Sequence, residues 1–197
     1  MTKLSLIIVF LQLITFMNCK IIFFITSFIF MSKAMGQKYE TQAYKVVRVL
    51  SKLEIRYYPP VMKIQSENNF GSLFRYISGN NQNSKKIAMT TPVYMGNYEG
   101  QEVMEFVLPN SFNEANTPKS ESSDVRVFQS TPGYFIALEF GGYATQNNRN
   151  KHTDQLIALA KQNNLKTIGS PLLLVYHSPY RIFNRKNEVL LEIEYLE

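Results

Sequence analysis

The sequence predicts an α+β fold built from two pseudo-symmetric halves, each running strand, strand, helix, strand, strand. Three observations carry that expectation. Val47-Arg48-Val49-Leu50 recurs as Val125-Arg126-Val127-Phe128 at an offset of 78 (125 − 47), and Thr91-Pro92-Val93 recurs as Ser170-Pro171-Leu172 at 79 (170 − 91), so a duplication underlies the chain. Segments with the two-residue period of half-buried strands flank segments with the 3.6-residue period of a helix. Glycine, proline and asparagine clusters punctuate the boundaries between them.

In the first half, Leu53, Ile55 and Tyr57 alternate with Glu54, Arg56 and Tyr58, and Pro59-Pro60 interrupts the strand. Phe70, Leu73, Phe74 and Ile77 follow at i, i+3, i+4, i+7, a helical stripe that Gly79-Asn80 stops in the left-handed region. The polar loop 80–85 leads into a returning strand over 87–95. The second half opens with a strand over 125–129, turns at Thr131-Pro132-Gly133, and continues through the apolar run 134–140 to Gly141-Gly142. A helix starting near Thr153 and Asp154 presents Leu156, Leu159 and Ala160 on one face, and residues 172–176 and 189–195 read as strands. The connection 109–124, rich in Ser, Asn and Glu, reads as a surface linker between halves with too little apolar surface to hold itself down tightly. Both halves are expected in one domain, because each needs the other to cover its sheet.

The first 36 residues differ from the rest. They contain two apolar runs, 4–16 and 21–30, no acidic residue and six of the 14 Phe, whereas all 12 Tyr come later. Lys20, the run 21–30 and Ala34-Met35-Gly36 supply the basic start, apolar stretch and small-residue cleavage site of a secretory leader. Residues 1–36 are therefore expected to be a signal peptide, with Met17 as an alternative start and residues 37–197 as the exported domain, periplasmic or extracellular. An uncleaved anchor is the competing reading, but it would put Lys20 in the middle of the bilayer, at a cost of about 2.5–3.5 kcal/mol. Phe16-Met17-Asn18 lacks the small residues that precede a lipidated cysteine at Cys19.

Cleavage removes Lys3, Lys20 and Lys33, so the net charge of +6 falls to +3 (18 − 15). That is too weak and too scattered for a nucleic-acid surface. No stable membrane span is expected after cleavage. Cys19 is the one cysteine, and a thiol-free domain of 161 residues (197 − 36) suits an oxidising compartment without disulfides. A chain of that size buries about two-thirds of its unfolded surface in a single core.

Sites for catalysis or metal are not apparent in the residue pattern. His152 and His177 are the only histidines and stand far apart, so the clustered ligands of a structural zinc site are missing. His177 in its Ser-Pro turn reads as a hydrogen-bonded structural residue. Ser178 adjoins it, but neighbours on an extended chain point to opposite faces and cannot exchange a proton. No nucleophile elbow or phosphate-cradling glycine loop is present. Glu54, Glu139 and Glu188 are the carboxylates that would have to gather for acid-base chemistry, and nothing in their spacing requires it. An enzyme is not expected.

Two segments are more specific. Lys86-Ile87-Ala88-Met89-Thr90-Thr91-Pro92-Val93, and Tyr176-His177-Ser178-Pro179 followed by Asn184-Arg185-Lys186-Asn187-Glu188-Val189, resemble the signature segments of the SOUL family of haem-binding proteins. Leu53-Glu54-Ile55-Arg56-Tyr57-Tyr58, Tyr76-Ile77-Ser78-Gly79-Asn80 and Ser123-Asp124-Val125 fall in the family's order, and the resemblance covers about residues 40–195. It implies a distorted β-barrel flanked by two helices, and binding of haem or a related porphyrin without turnover, as a carrier or buffer. In members proposed to ligate iron through histidine, that residue lies between Arg and Tyr of the Glu-Ile-Arg-x-Tyr segment. Tyr57 occupies this place here, which removes the histidine and leaves a tyrosine, itself able to ligate ferric haem. Other members are thought to use a hydrophobic groove beside the first helix. That groove corresponds to Phe70, Leu73, Phe74 and Ile77, with Arg75 or Arg56 as propionate partners. Two other readings share the architecture: a binding module for amphipathic small molecules, which resembles the effector-binding domains of drug-sensing regulators, and an enzyme acting on a tetrapyrrole or small ester through a buried glutamate.

Overall fold

The structure, a computed structural model, describes residues 39–98 and 100–195. The expected leader and its alternative start lie outside the described residues. Eleven strands and two helices follow in the order β1 (Glu40–Thr41), β2 (Lys45–Leu50), β3 (Leu53–Tyr58), β4 (Met62–Ser66), α1 (Phe70–Ile77), β5 (Thr90–Thr91), β6 (Val93–Tyr98), β7 (Gln101–Val107), β8 (Arg126–Gln129), β9 (Gly133–Gly141), α2 (Gln146–Gln162), β10 (Thr167–Val175) and β11 (Lys186–Ile193). Tyr39–Glu197 forms one compact unit. Among the described residues, no helix is long and apolar enough to cross a membrane.

Nine strands make a single antiparallel sheet ordered β2-β3-β9-β11-β10-β6-β7-β4-β8. The order explains the repeat. A pseudo-twofold between β6 and β10, whose pairing aligns Tyr94 with Leu174, relates β6 to β10, β7 to β11, β4 to β9 and β3 to β8. Each half lends its first strand to the other, since β3 pairs with β9 and β8 with β4. The echo of Thr91-Pro92-Val93 in Ser170-Pro171-Leu172 reflects this axis. That of Val47-Arg48-Val49-Leu50 does not, because it aligns β8 with β2, which lies outside the repeated set.

The expected barrel is corrected by the same topology. The axis places β2 and β8 at opposite ends of the sheet, where neither pairs with the other, so the sheet stays open. Its edges are blunted: β2 is largely exposed, carries Lys45 and Arg48 and has an irregularity between Val46 and Arg48, and β8 is only four residues long. Charge, irregular pairing and shortness all discourage further strand addition.

Both helices lie on one face. α1 contributes Leu73, Tyr76 and Ile77 to a core with Met62, Ile64, Met104, Phe106 and Leu108. α2 contributes Leu156 and Ala160 to a second core with Leu53, Ile55, Ile136, Leu138, Val189 and Leu191. The α1 stripe is rotated from the expected one: Leu73, Tyr76 and Ile77 are buried, while Phe70 and Phe74 are 48% and 50% exposed. Tyr76 is held inward by its hydroxyl, which donates to the Pro118 carbonyl at 2.5 Å. α2 begins seven residues before Thr153, capped by the Thr145 side chain accepting from the Asn148 amide. Its first two turns are polar and gave no apolar period to read. The linker 109–124 is fastened after all, with Pro118 buried, Phe112 packed beside the α1 core, and a bridge between Asn81 and Ser120.

Candidate functional site

Two regions stand out, one on each face of the sheet. On the helix-bearing face, α1 starts at Asn69, whose side chain accepts from the Ser72 amide, and ends at Ser78 before Gly79 at φ 115°. A residue with a Cβ would be strained at that φ, which is why glycine stands there. The exposed side of α1 carries Phe70 and Phe74, with ring centroids 5.9 Å apart and planes within 14°. Phe70 also meets Phe106 edge-on at 5.1 Å, so the pair is anchored to the sheet beneath. Arg75 sits beside it in the last turn, exposed, with one guanidinium nitrogen 3.0 Å from Ser72 Oγ. The result is a half-exposed, offset-stacked aromatic pair with Arg75 next to it in the helix.

Among the described residues the other face carries no helix, and strand alternation sends a set of polar and aromatic groups into it. Tyr58, Tyr94, Val107, Ala137, Leu174 and Leu190 form its core, with Tyr44, Phe135 and Tyr176 packed against them. Arg56 pairs bidentately with Glu188, its Nη1 and Nη2 each donating at 2.9 Å. Arg56 Nε donates to Glu54 at 2.7 Å, and the Tyr176 hydroxyl donates to Glu188 at 2.6 Å. Lys186 lies 3.1 Å from both Glu188 and Glu139. A second buried pair, Lys63 with Glu105 at 2.9 Å, is shared by Gln65 and lies under the Tyr94 ring. The segment entering β2 crosses this face: Tyr94 donates to Gln42 Oε1 at 2.6 Å, and Tyr44 packs on Tyr58 and on the Arg56 guanidinium. β1 pairs with β5 in the Thr90-Thr91 signature, which fastens that crossing segment.

The electrostatics follow from burial and pairing. Burial alone would raise the Glu188 carboxyl, but the hydrogen bonds and charge of Arg56 outweigh it and hold Glu188 below the usual carboxylate value. Burial would lower Arg56, yet Glu188 holds it above the ordinary arginine value. Burial drives Tyr58, Tyr94 and Tyr176 upward, with Glu188 adding to the effect, so these phenols stay neutral, Tyr94 and Tyr176 as donors and Tyr58 accepting from Arg56. His177, also a hydrogen-bonded residue through Nδ1 accepting the Lys186 amide at 3.0 Å, is lowered by burial and by Arg181 and Arg185.

The seven residues that resemblance singles out do not form one cluster. Phe70, Phe74 and Arg75 come together on the outer side of α1, whereas Leu73 and Ile77 form the core beneath it. Arg56 belongs to the opposite face, committed to Glu188 and Glu54. Tyr57 is on the helix-bearing face but packs on Tyr134 at 5.1 Å, beside the α2 core. Four strands separate β3 from β7, about 24 Å measured along the sheet. Among the described residues, no group of three or more His, Cys, Asp or Glu is placed to hold a metal ion. Glu54, Glu139 and Glu188 do gather, around Arg56 and Lys186. Sequence reasoning missed Lys63, Glu105 and Tyr94 as members of this face, although each stands at an alternate position of its strand.

The sequence profile described as SOUL heme-binding protein matches residues 39–192. No curated protein sequence matches the chain. Among solved structures, the chain is similar to the C-terminal domain of EcmrR, with 12% identity, TM-score 0.50, and 75% of this chain and 100% of that one covered. It is similar also to a hydrolase encoded by lin2189 from Listeria innocua, at 12% identity and TM-score 0.52 over 80% of this chain and 100% of that one. Another hydrolase from Listeria innocua aligns at 10% identity and TM-score 0.51, over 75% and 94%. Likeness at such identity shows the shared fold alone.

Proposed function

The chain belongs to the SOUL heme-binding protein family, and from that premise we propose that it binds haem or a related tetrapyrrole on the outer surface of α1, without turning it over, as a carrier or buffer. One observation carries the reading: Phe70 and Phe74 are stacked within 14° and about half exposed, on a helix whose other large apolar side chains are buried. A planar, mostly apolar macrocycle needs such a wall. Arg75 is the propionate partner, since a guanidinium at a solvent edge makes a charge-assisted pair with a carboxylate. When bound, haem supplies its own iron chemistry. The protein covers one apolar face and orients the acidic edge toward Arg75.

A role for Glu188 as a general acid is disfavoured by its pairing. Both of its oxygens are occupied, Oε1 by Arg56 and Lys186 and Oε2 by Arg56 and Tyr176, and pairing holds it ionised. A general acid needs the opposite tuning.

Haemin titration of the compact unit Tyr39–Glu197, compared with substituted forms, tests the placement. Phe70→Ser with Phe74→Ser is expected to weaken binding about tenfold or more, by removing two contact rings. Arg75→Ala is expected to weaken it several-fold, and Tyr57→Phe to leave the Soret spectrum unchanged. An altered spectrum in Tyr57→Phe with intact binding in the double serine form would move the site to the β3 region. Comparable affinity for a bulky hydrophobic cation would identify a general amphiphile-binding module instead.

A further inference from the structure

The connection from β10 to β11 presents three large apolar side chains to solvent: Tyr180 is 90% exposed, Ile182 67% and Phe183 79%. These are the most exposed large hydrophobic residues described, and they sit together on one loop. Isolated exposed apolar residues are ordinary, but three in a contiguous tip are not.

The loop holds them outward. The buried Arg185 side chain donates through Nη1 to the carbonyls of Ser178 at 2.9 Å, Pro179 at 3.3 Å and Arg181 at 2.7 Å. Arg181 Nε donates to the Phe183 carbonyl at 2.9 Å, and the Lys186 amide is held by His177. Asn184 adopts φ 50°, the left-handed turn that ends the tip. A backbone pinned at this many points cannot fold its apolar side chains back onto the sheet.

A second connection lies against it. Arg185 stacks over the ring of Tyr143 at 4.4 Å, and Asn187 donates to the Gly142 carbonyl at 2.9 Å. Tyr143 is itself 48% exposed. Residues 176–187 carry Arg181, Arg185 and Lys186 without a carboxylate, and residues 141–153 carry Arg149 and Lys151 without one. Arg149 and Lys151 belong to α2, Arg185 is buried and Lys186 is paired with Glu139 and Glu188, so the tip is apolar and aromatic with Arg181 as its exposed cation and no carboxylate within residues 176–187.

We propose that this tip docks the protein on a lipid bilayer containing anionic phospholipid, with Tyr180, Ile182 and Phe183 entering the interfacial layer and Arg181 pairing with headgroup phosphates. The charge pattern selects this occupant. Aromatic and aliphatic side chains beside an exposed arginine, with no carboxylate in the same loop, match the boundary between headgroups and acyl chains, and a negative surface attracts that cation. A fluid surface accepts an exposed apolar tip, whereas a folded partner needs a pocket shaped to it. The proposal stands independently of haem.

The test uses the Tyr39–Glu197 unit, which holds every described strand, both helices and all three cores, and sedimentation with phosphatidylcholine vesicles that contain or lack phosphatidylserine. The unit is expected to pellet with the anionic vesicles. The combined Tyr180→Ser, Ile182→Ser and Phe183→Ser form is expected to lose about tenfold or more of that partition at an unchanged melting temperature, and Arg181→Gln several-fold. Because the chain has no tryptophan, Phe183→Trp adds a single indole, whose emission is expected to shift to shorter wavelength on binding. Equal partition of the parent and triple-serine forms, equal binding to neutral vesicles, or an unshifted indole would overturn the proposal. So would a parent that self-associates through this tip without binding vesicles.

Discussion

At the scale of single residues, the Arg56–Glu188 pair decides most about the helix-free face. Replacing Glu188 with Gln leaves a buried guanidinium with only the part-exposed Glu54 as counter-charge, and breaking such a buried pair costs about 3–5 kcal/mol. Urea unfolding of E188Q is expected to show a loss of that size. Glu54 contacts the same arginine, but its side chain is 36% exposed, and E54Q should cost no more than about 1 kcal/mol. The pH dependence has two limbs. Glu188 titrates lower in the folded chain than its ordinary 4.5, so its stabilisation is complete above that value and fades as the pH falls below it. His177 is likewise lowered from 6.5: the fold favours its neutral form, and stability drops as the pH falls from that point and the unfolded chain gains the proton. The urea midpoint should therefore decline first below 6.5 and again below 4.5, with His177→Asn suppressing the first decline and E188Q the second.

At the scale of elements, α1 separates what holds the fold from what faces a ligand. Leu73 is fully buried, and Leu73→Ala should destabilise by about 2–5 kcal/mol. Phe74→Ser, at a half-exposed position, should change thermal stability far less while weakening haemin binding. The helix itself was legible from Phe70, Leu73, Phe74 and Ile77, but a stripe read from apolar residues alone counts Phe70 and Phe74 as core. It misses Tyr76, whose ring is buried because its hydroxyl finds the Pro118 carbonyl. Alternation in Leu53 to Tyr58 put Arg56 and Tyr57 on opposite faces in the sequence already. The partner of Arg56 was not readable, because Asn184-Arg185-Lys186-Asn187-Glu188 has the composition of a polar turn. In the fold, Arg185, Asn187 and Glu188 of that segment are buried. β4 escaped notice for a related reason: its five residues follow Pro59-Pro60, and alternate positions hold Lys63 and Gln65, which pair with Glu105 only once β7 lies alongside.

At the scale of the whole molecule, the duplication is visible as a sheet whose axis runs between β6 and β10, with first strands exchanged between halves. Such an arrangement makes the middle of the sheet depend on both halves and leaves β2 and β8 as its edges. Amide hydrogen exchange should follow this gradient, slowest in β11, a buried strand paired on both sides, and fastest in β2. The exchange of first strands could not be read from the repeat, since local sequence specifies which segments form strands but not which neighbour each one takes. Across that sheet the molecule divides its work: one face closes over a neutralised charge network, and the other offers the aromatic side of α1. The most direct measurement of the central claim is a haemin titration of the Tyr39–Glu197 unit, followed in the Soret band with apomyoglobin as competitor. Binding on α1 predicts a saturable one-to-one change that F70S/F74S abolishes or weakens about tenfold. A change that never saturates, or one that apomyoglobin removes without a measurable equilibrium, would contradict it.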